Sequence, residues 1–146
     1  MAQAAANGVL TMIGFDTTIT LYCRHIDPAT RTTTWHRKTM HNASWFERRA
    51  QAGTVQGQNS TTQYDVRVNA ADMPTGFVSD PNEYALLADP TGKWTARAGD
   101  YCFYGDVTVE QTDSIALFAK GRRGFVMTDA NDNTRLGILP HIHLKG

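Results

Sequence analysis

The sequence has no excess of charge of either sign. Among its 146 residues, 14 Lys and Arg side chains balance 14 Asp and Glu side chains. A broadly basic surface for nucleic acid is therefore not indicated. The basic pairs Arg48-Arg49 and Arg122-Arg123 leave local contacts with DNA phosphate or with an acidic partner open. A net charge near zero gives copies of the chain little mutual repulsion, which suits a protein that associates.

Cysteine and long apolar runs are also scarce. Cys23 and Cys102 have no Cys-x-x-Cys spacing, which favours two buried thiols over a disulfide or a metal-thiolate pair. No apolar run approaches the roughly 20 residues of a membrane-spanning helix. The stretch from Met1 to Leu10 lacks the basic start and the long apolar core of a signal peptide. We therefore expect a soluble protein made in the cytoplasm, with no membrane partner.

Motifs for catalysis are missing as well. No serine lies in a nucleophile-elbow motif, no paired carboxylates stand out, and no Gly-rich phosphate loop is present. The segment Asp129–Thr134 has the residue types of a calcium loop, but it lacks the sixth-position Gly and the terminal Glu of an EF-hand. We predict that it is a solvated turn between two strands. The sequence thus predicts neither an enzyme nor a cofactor.

His141 and His143 form the pattern in the sequence that is most like a metal site. Residues two apart on a strand point to the same face, so both imidazoles could approach one ion. A zinc site needs further ligands, and no Cys or carboxylate lies at a recognisable spacing. The favoured interpretation is a polar face on the last strand, with Ile142 and Leu144 facing inward.

Short strands separated by turns dominate the chain. The clearest is Asp16–Cys23, in which Ile19 and Leu21 share one face. We predict a mainly β fold, a small barrel or sandwich of about six or seven strands with one short helix and a long loop. Residues 1–14 are predicted to be a flexible N-terminal arm, and residues 15–146 a single β-barrel domain. The other predicted strands are Thr32–His36, Ala43–Glu47, Gln63–Val68, Tyr101–Tyr104, Arg122–Thr128 and one within Leu136–Gly146.

One short helix is predicted at Asp113–Gly121. Asp113 or Thr112 can cap its first amides, and Ile115 and Phe118 lie on one apolar face. The glycine at the end of this range is a typical helix stop. A second segment, Tyr84–Leu87, is predicted to be either a short strand or a single helical turn.

The long loop is predicted at Arg48–Thr62. This segment is polar and contains Gly53 and Gly57, with Val55 as its one large aliphatic residue. It can bury little apolar surface by itself, so we expect it to be exposed. A loop of this length in a small domain is typically functional or disordered.

Three features of the sequence form a pattern along the chain. The first is the opening strand followed by a Trp-containing strand, and the second is a strand that follows the polar loop. The third is an ending in which a Gly-Asp strand, an Asp/Asn-rich segment and a histidine-containing strand follow one another. Together they resemble small neck proteins encoded in the head–tail gene block of siphophages and prophages. The residues concerned are Asp16–Tyr22, Tyr64–Val68, Gly99–Asp106, Asp129–Arg135, His141 and His143.

The resemblance implies a head-closure, or stopper, protein located in the virion neck and synthesised in the cytoplasm of the bacterial host. Such a protein is a β-barrel whose copies form a ring, expected to be a dodecamer. Its partners would be the portal and adaptor proteins above, the tail terminator and tail proteins below, and packaged DNA in the channel. A long loop of each copy would project toward the channel and help to retain the DNA. The channel-facing residues of this loop would be Arg48, Arg49, Gly53, Val55 and Gly57.

Three other functions stay open at the level of sequence. A tail terminator or a capsid decoration protein is also a ring or shell component without catalytic groups. A nucleic-acid-binding β-barrel could use the chain's aromatic residues for base stacking, although strand alternation places about half of them in the core. A metal-dependent enzyme would have to rely on His141 and His143.

Overall fold

The structure is a computed structural model that describes residues 14–54, 57–109 and 115–146. The elements of these residues are mostly strands, with two short α-helices and one 3-10 turn. In chain order they are β1 (Thr17–Ile26), β2 (Thr33–Thr54), β3 (Gly57–Asn69), the 3-10 turn (Ala70–Asp72), α1 (Pro81–Ala85), β4 (Tyr101–Tyr104), α2 (Ile115–Ala119), β5 (Gly124–Val126), β6 (Asp129–Asn133) and β7 (His141–Lys145). The predicted mainly β fold is confirmed.

All seven strands belong to one antiparallel sheet with the order β5-β4-β1-β2-β3-β7-β6. Its two outermost strands, β5 and β6, are separated in the chain by Met127 and Thr128 alone. The sheet therefore curls into a half-barrel, because its opposite edges must come together at these two residues. Consistent with this, a Cβ atom added at Gly146, beyond β7, would lie 2.1 Å from Cδ2 of Phe125 in β5.

A bulge in β2 bends the sheet. Between the pairs Thr17–Ala43 and Ile19–Met40, β2 contains one residue more than β1. Asn42 lies inside this step with a φ of 59°, a left-handed conformation that asparagine tolerates better than most residues. Beyond the bulge β2 leaves β1 and continues as the partner of β3, as expected of a bulge that increases strand twist.

The core lies on the concave side of the sheet. The segment that connects the 3-10 turn to β4 crosses this side and buries Tyr84 and Trp94 completely. Trp94 also satisfies its indole N–H, because Nε1 donates to the carbonyl of Pro74 at 3.2 Å. The strand residues of the core are Ile19, Leu21, Cys23, Met40, Ala43, Val66, Val68, Cys102, Phe125, Ile142 and Leu144.

The convex side of β1 is covered too. Thr20 and Tyr22 are fully buried there, because the segment after β4 and helix α2 pack over them. Tyr22 Oη donates to the carbonyl of Val109 at 2.5 Å, and its ring lies 5.1 Å from that of Phe118. Thr20 Oγ1 donates to the carbonyl of Gly105 at 2.8 Å. Strand β1 is thus covered on both of its faces by apolar packing or by internal hydrogen bonds.

Three sequence predictions are wrong in their secondary structure. The predicted strands Thr32–His36 and Ala43–Glu47 are one continuous strand, β2, because the Asn42 bulge bends the chain without ending its pairing. The predicted loop Arg48–Thr62 is strand in its described part, because backbone hydrogen bonds pair β2 with β3 there without apolar alternation. The predicted turn Asp129–Thr134 is mostly strand β6, which pairs with β7.

Other predictions are confirmed or fall outside the described residues. Helix α2 lies within the predicted helix. Its predicted N-terminal caps, Thr112 and Asp113, and all but the last residue of the predicted 1–14 arm are outside the described ranges. The alternative of a helical turn near Tyr84 is correct. Cys23 and Cys102 are free and buried, as predicted, and burial raises the pKa of Cys23 to about 12. Among the helices that the structure describes, none has the length and apolarity to cross a bilayer.

Candidate interaction site

A two-stranded ribbon projects from the sheet. It consists of residues 48–54 of β2 and residues 57–63 of β3, and we call it the hairpin arm. Seven cross-strand pairs, from Arg48–Gln63 to Thr54–Gly57, hold it together. At about 3.3 Å per residue the arm is roughly 20 Å long. In the described part of the chain no third strand pairs with it, since β1 pairs with β2 only up to Ala43 and β7 pairs with β3 only from Asp65.

An aromatic group lies where the hairpin arm leaves the sheet, and we call it the base cluster: Trp45, Tyr64, Tyr104 and Phe125. The rings of Tyr64 and Phe125 stack at 4.8 Å with an interplanar angle of 11°. The ring centre of Trp45 lies 5.2 Å from that of Tyr104 and 5.5 Å from that of Phe125, and both contacts are edge to face. Because these residues come from β2, β3, β4 and β5, the cluster fastens the base of the arm to the opposite edge of the curled sheet.

An ion pair covers the base cluster. Arg123 Nε donates to Glu47 Oε1 at 2.9 Å, and the same oxygen accepts from the indole N–H of Trp45 at 2.9 Å. The Arg123 guanidinium also lies 4.0 Å from the centre of the Tyr104 ring. The hydrogen bond from Arg123 lowers the pKa of Glu47. Both side chains are partly exposed, 53% for Arg123 and 33% for Glu47, so solvent screening keeps this ion pair weak.

An open cleft of about 490 Å³ lies beside the base of the hairpin arm. Arg48 and Lys145 line it together with Asp65. The Asp65 carboxylate lies 2.8 Å from Nε2 of His143, and Arg48 donates to the side-chain oxygen of Gln63 at 2.8 Å. The cleft is therefore polar, with two cationic side chains near the start of the arm.

Four of the five predicted channel-facing residues lie on the hairpin arm. Arg48 and Arg49 are exposed at its start. Gly53 pairs with Gln58, and Gly57 pairs with Thr54, at its far end. Val55 lies outside the described residues. The arm therefore brings together the described members of the predicted set, although on a paired ribbon and not on an irregular loop.

His141 and His143 share the convex face of β7, as their spacing predicts. Their ring centres are 6.4 Å apart. Nδ1 of His141 lies 2.8 Å from the carbonyl oxygen of Leu139, and His143 contacts Asp65. Within the described ranges no group of three or more His, Cys, Asp or Glu side chains could hold a metal ion. The burial of Ile142 and Leu144 confirms the prediction that they face inward.

A buried carboxylate lies next to the core, and no pattern in the sequence pointed to it. Asp100 is 1% exposed, and its carboxylate accepts from Arg97 Nε at 3.0 Å and from the backbone N–H of Arg24 at 3.2 Å. Burial raises the pKa of Asp100 in spite of this arginine. Nearby, Nε2 of His25 and the hydroxyl of Tyr84 are buried and have no hydrogen-bond partner in the part of the chain that the structure describes.

A second exposed surface is the loop between β6 and β7, which we call the aliphatic loop. Leu136, Ile138 and Leu139 are all more than half exposed on it. Leu139 has a φ of 49°, an unusual conformation for a leucine. Its side chain borders a mainly apolar groove of about 270 Å³ that Phe15 also lines. Exposed aliphatic side chains next to such a groove are typical of a protein contact.

Comparison with known proteins gives one family. Residues 14–146 match the family described as "Family of unknown function (DUF6751)". No curated protein and no solved structure matches the chain.

Proposed function

The chain belongs to the family of unknown function DUF6751, and we propose that it is a structural protein of a tailed-bacteriophage virion, the head-closure or stopper component of the neck. In this proposal its copies form a ring, of about twelve, between the portal and adaptor proteins and the tail terminator and tail proteins. The hairpin arms project from the ring toward its channel and help to retain packaged DNA. No bond-making step is involved, and no cofactor is required.

The hairpin arm is the observation that carries this proposal. A two-stranded ribbon is at best marginally stable by itself in water, and the only apolar side chains in the sequence of this arm are the small ones of Ala50 and Ala52. It therefore adds little apolar burial to its own fold. The base cluster nevertheless holds it at a defined place on the sheet. A ribbon that is anchored at its base, with no third strand paired to it among the described residues, is best explained by contacts outside its own chain.

Two further observations support a role in an assembly. Gly53 and Gly57 lie in the outermost pairs of the arm, where the absence of side chains lets another backbone approach closely. The aliphatic loop offers a separate apolar surface on another part of the molecule, at Ile138 and Leu139. A ring component between a head and a tail needs several such surfaces, because it contacts its own copies and two different neighbours.

Quantitative mass spectrometry of purified virions of the phage that encodes the chain tests the proposal. We expect about twelve copies per particle, and heads that lose their DNA when the gene is removed. Copies in the hundreds would instead indicate a capsid decoration protein, and DNA-filled heads with tails of uncontrolled length a tail terminator. Absence from the virion, with salt-sensitive binding to single-stranded DNA that depends on Arg48 and Arg49, would replace the proposal by the nucleic-acid-binding barrel.

A further inference from the structure

The hairpin arm has two backbone edges with no partner strand in the described residues. Its strands pair only with each other, from Arg48–Gln63 to Thr54–Gly57. The outward N–H and C=O groups of such strands are templates for the addition of another strand. Because the arm projects from the sheet, a strand of another molecule can approach either edge.

A second free edge lies on β6. Among the residues that the structure describes, β6 pairs with β7 alone. Its sequence, Asp129–Asn133, contains two aspartates and no cationic residue, and Asp129 and Asp132 are both exposed. The arm starts with the exposed cations Arg48 and Arg49. Opposite charges on adjacent strands stabilise strand pairing, whereas like charges oppose it.

We infer that the base of the hairpin arm of one copy adds to the β6 edge of a second copy, with Arg48 and Arg49 next to Asp129 and Asp132. The far end of the arm, at Gly53 and Gly57, then extends past this contact toward the channel. Main-chain hydrogen bonds hold the added strand, and the opposite charges select the edge. The arm and β6 are different surfaces of one chain, so each copy donates an arm and receives one. A contact of this head-to-tail kind closes into a ring when its rotation allows. The inference deepens the proposed function and rests on its ring of copies.

Charge reversal on each side of the contact provides the test. Arg49→Glu changes the arm, and Asp129→Arg changes the β6 edge. Both side chains are exposed, so the fold should tolerate either change, which circular dichroism checks. Lys93→Glu is the matched control, because Lys93 is exposed and lies on neither surface. The full chain and each variant are examined by sedimentation velocity over a range of concentrations.

We expect the unchanged chain and Lys93→Glu to self-associate into multiples of the 16.1 kDa monomer. Each reversal by itself should weaken association about tenfold or more, since a like-charge contact replaces an attraction. An equimolar mixture of the two variants should restore association, because every contact between unlike copies then pairs opposite charges.

Three results would overturn the inference: a monomeric unchanged chain at all concentrations, single reversals that associate as well as the control, or a mixture that does not recover. None of these results bears on the number of copies in a virion or on DNA loss from heads. Failure of this contact is therefore distinguishable from failure of the proposed neck function.

Discussion

Removing the Phe125 ring should loosen the attachment of the hairpin arm and destabilise the whole fold. Phe125 is 7% exposed; it stacks on Tyr64 and contacts the edge of Trp45. Replacement of a buried phenylalanine by alanine costs about 3 to 5 kcal/mol, through lost burial and the cavity that remains. Since a domain of this size has a free energy of unfolding of about 5 to 15 kcal/mol, Phe125→Ala should remove a large share of it.

Phe46→Ala is the matched control for this prediction. Phe46 lies in β2 next to Trp45, but it is 57% exposed. Its loss should therefore change the free energy of unfolding by less than about 1 kcal/mol. Urea denaturation followed by tryptophan fluorescence measures both variants. Equal destabilisation by the two changes, or a loss below about 1 kcal/mol for Phe125→Ala, would show that the base cluster does not hold the arm to the sheet.

Three further predictions concern an ion pair, the thiols and two glycines. Arg123 lowers the pKa of Glu47 in the fold. The stability difference between the unchanged chain and Glu47→Gln, under about 1 kcal/mol, should therefore be present at neutral pH and vanish in acid. Urea titrations across pH measure this difference, and a difference that grows in acid would contradict the assignment. Cys23 and Cys102 should react with a thiol reagent only after unfolding, because both are buried; fast labelling of the native protein would oppose this. Gly76→Ala should lower the free energy of unfolding by about 3 kcal/mol or more, since its Cβ would lie 2.0 Å from a backbone oxygen. Gly99 has a similar φ but open space around it, so Gly99→Ala should lower the free energy of unfolding by only about 1 kcal/mol. Equal shifts of the melting temperature for the two variants would refute the clash.

Strands β1 and β7 could be predicted from the sequence because one face of each packs into the apolar core. Ile19 and Leu21 alternate with polar or hydroxyl-bearing residues, which is the signal of a strand with an apolar inner face. The same signal identified β7, whose Ile142 and Leu144 are fully buried. Where one face of a strand packs against the core, apolar residues recur at every second position of its sequence.

The hairpin arm and β6 could not be predicted in this way. The described arm pairs only with itself, so no buried face imposes apolar alternation on its residues. Strand β6, at Asp129–Asn133, is an edge strand of short polar residues, and such residues are typical of turns. Backbone hydrogen bonds determine the structure of both segments, and these bonds do not require a particular pattern of side chains.

The contacts at the base of the arm could not be predicted from the sequence either. Glu47 and Arg123 are 76 positions apart, and only the curling of the sheet brings them together. Arg123 was noticed as half of a basic pair, but nothing in the sequence pointed to its aromatic and acidic neighbours. The segment of the arm stood out in the sequence for its unusual polarity, but its predicted secondary structure was wrong.

Truncation of the hairpin arm tests the central claim most directly. Residues 49–62 are replaced by Asn-Gly, which can join Arg48 to Gln63, a cross-strand pair, in a two-residue turn. The account predicts that the truncated chain unfolds within about 1 kcal/mol of the full chain, but fails to restore DNA retention to heads of a phage that lacks the gene. Full restoration of DNA-filled, infectious particles by the truncated chain would contradict it.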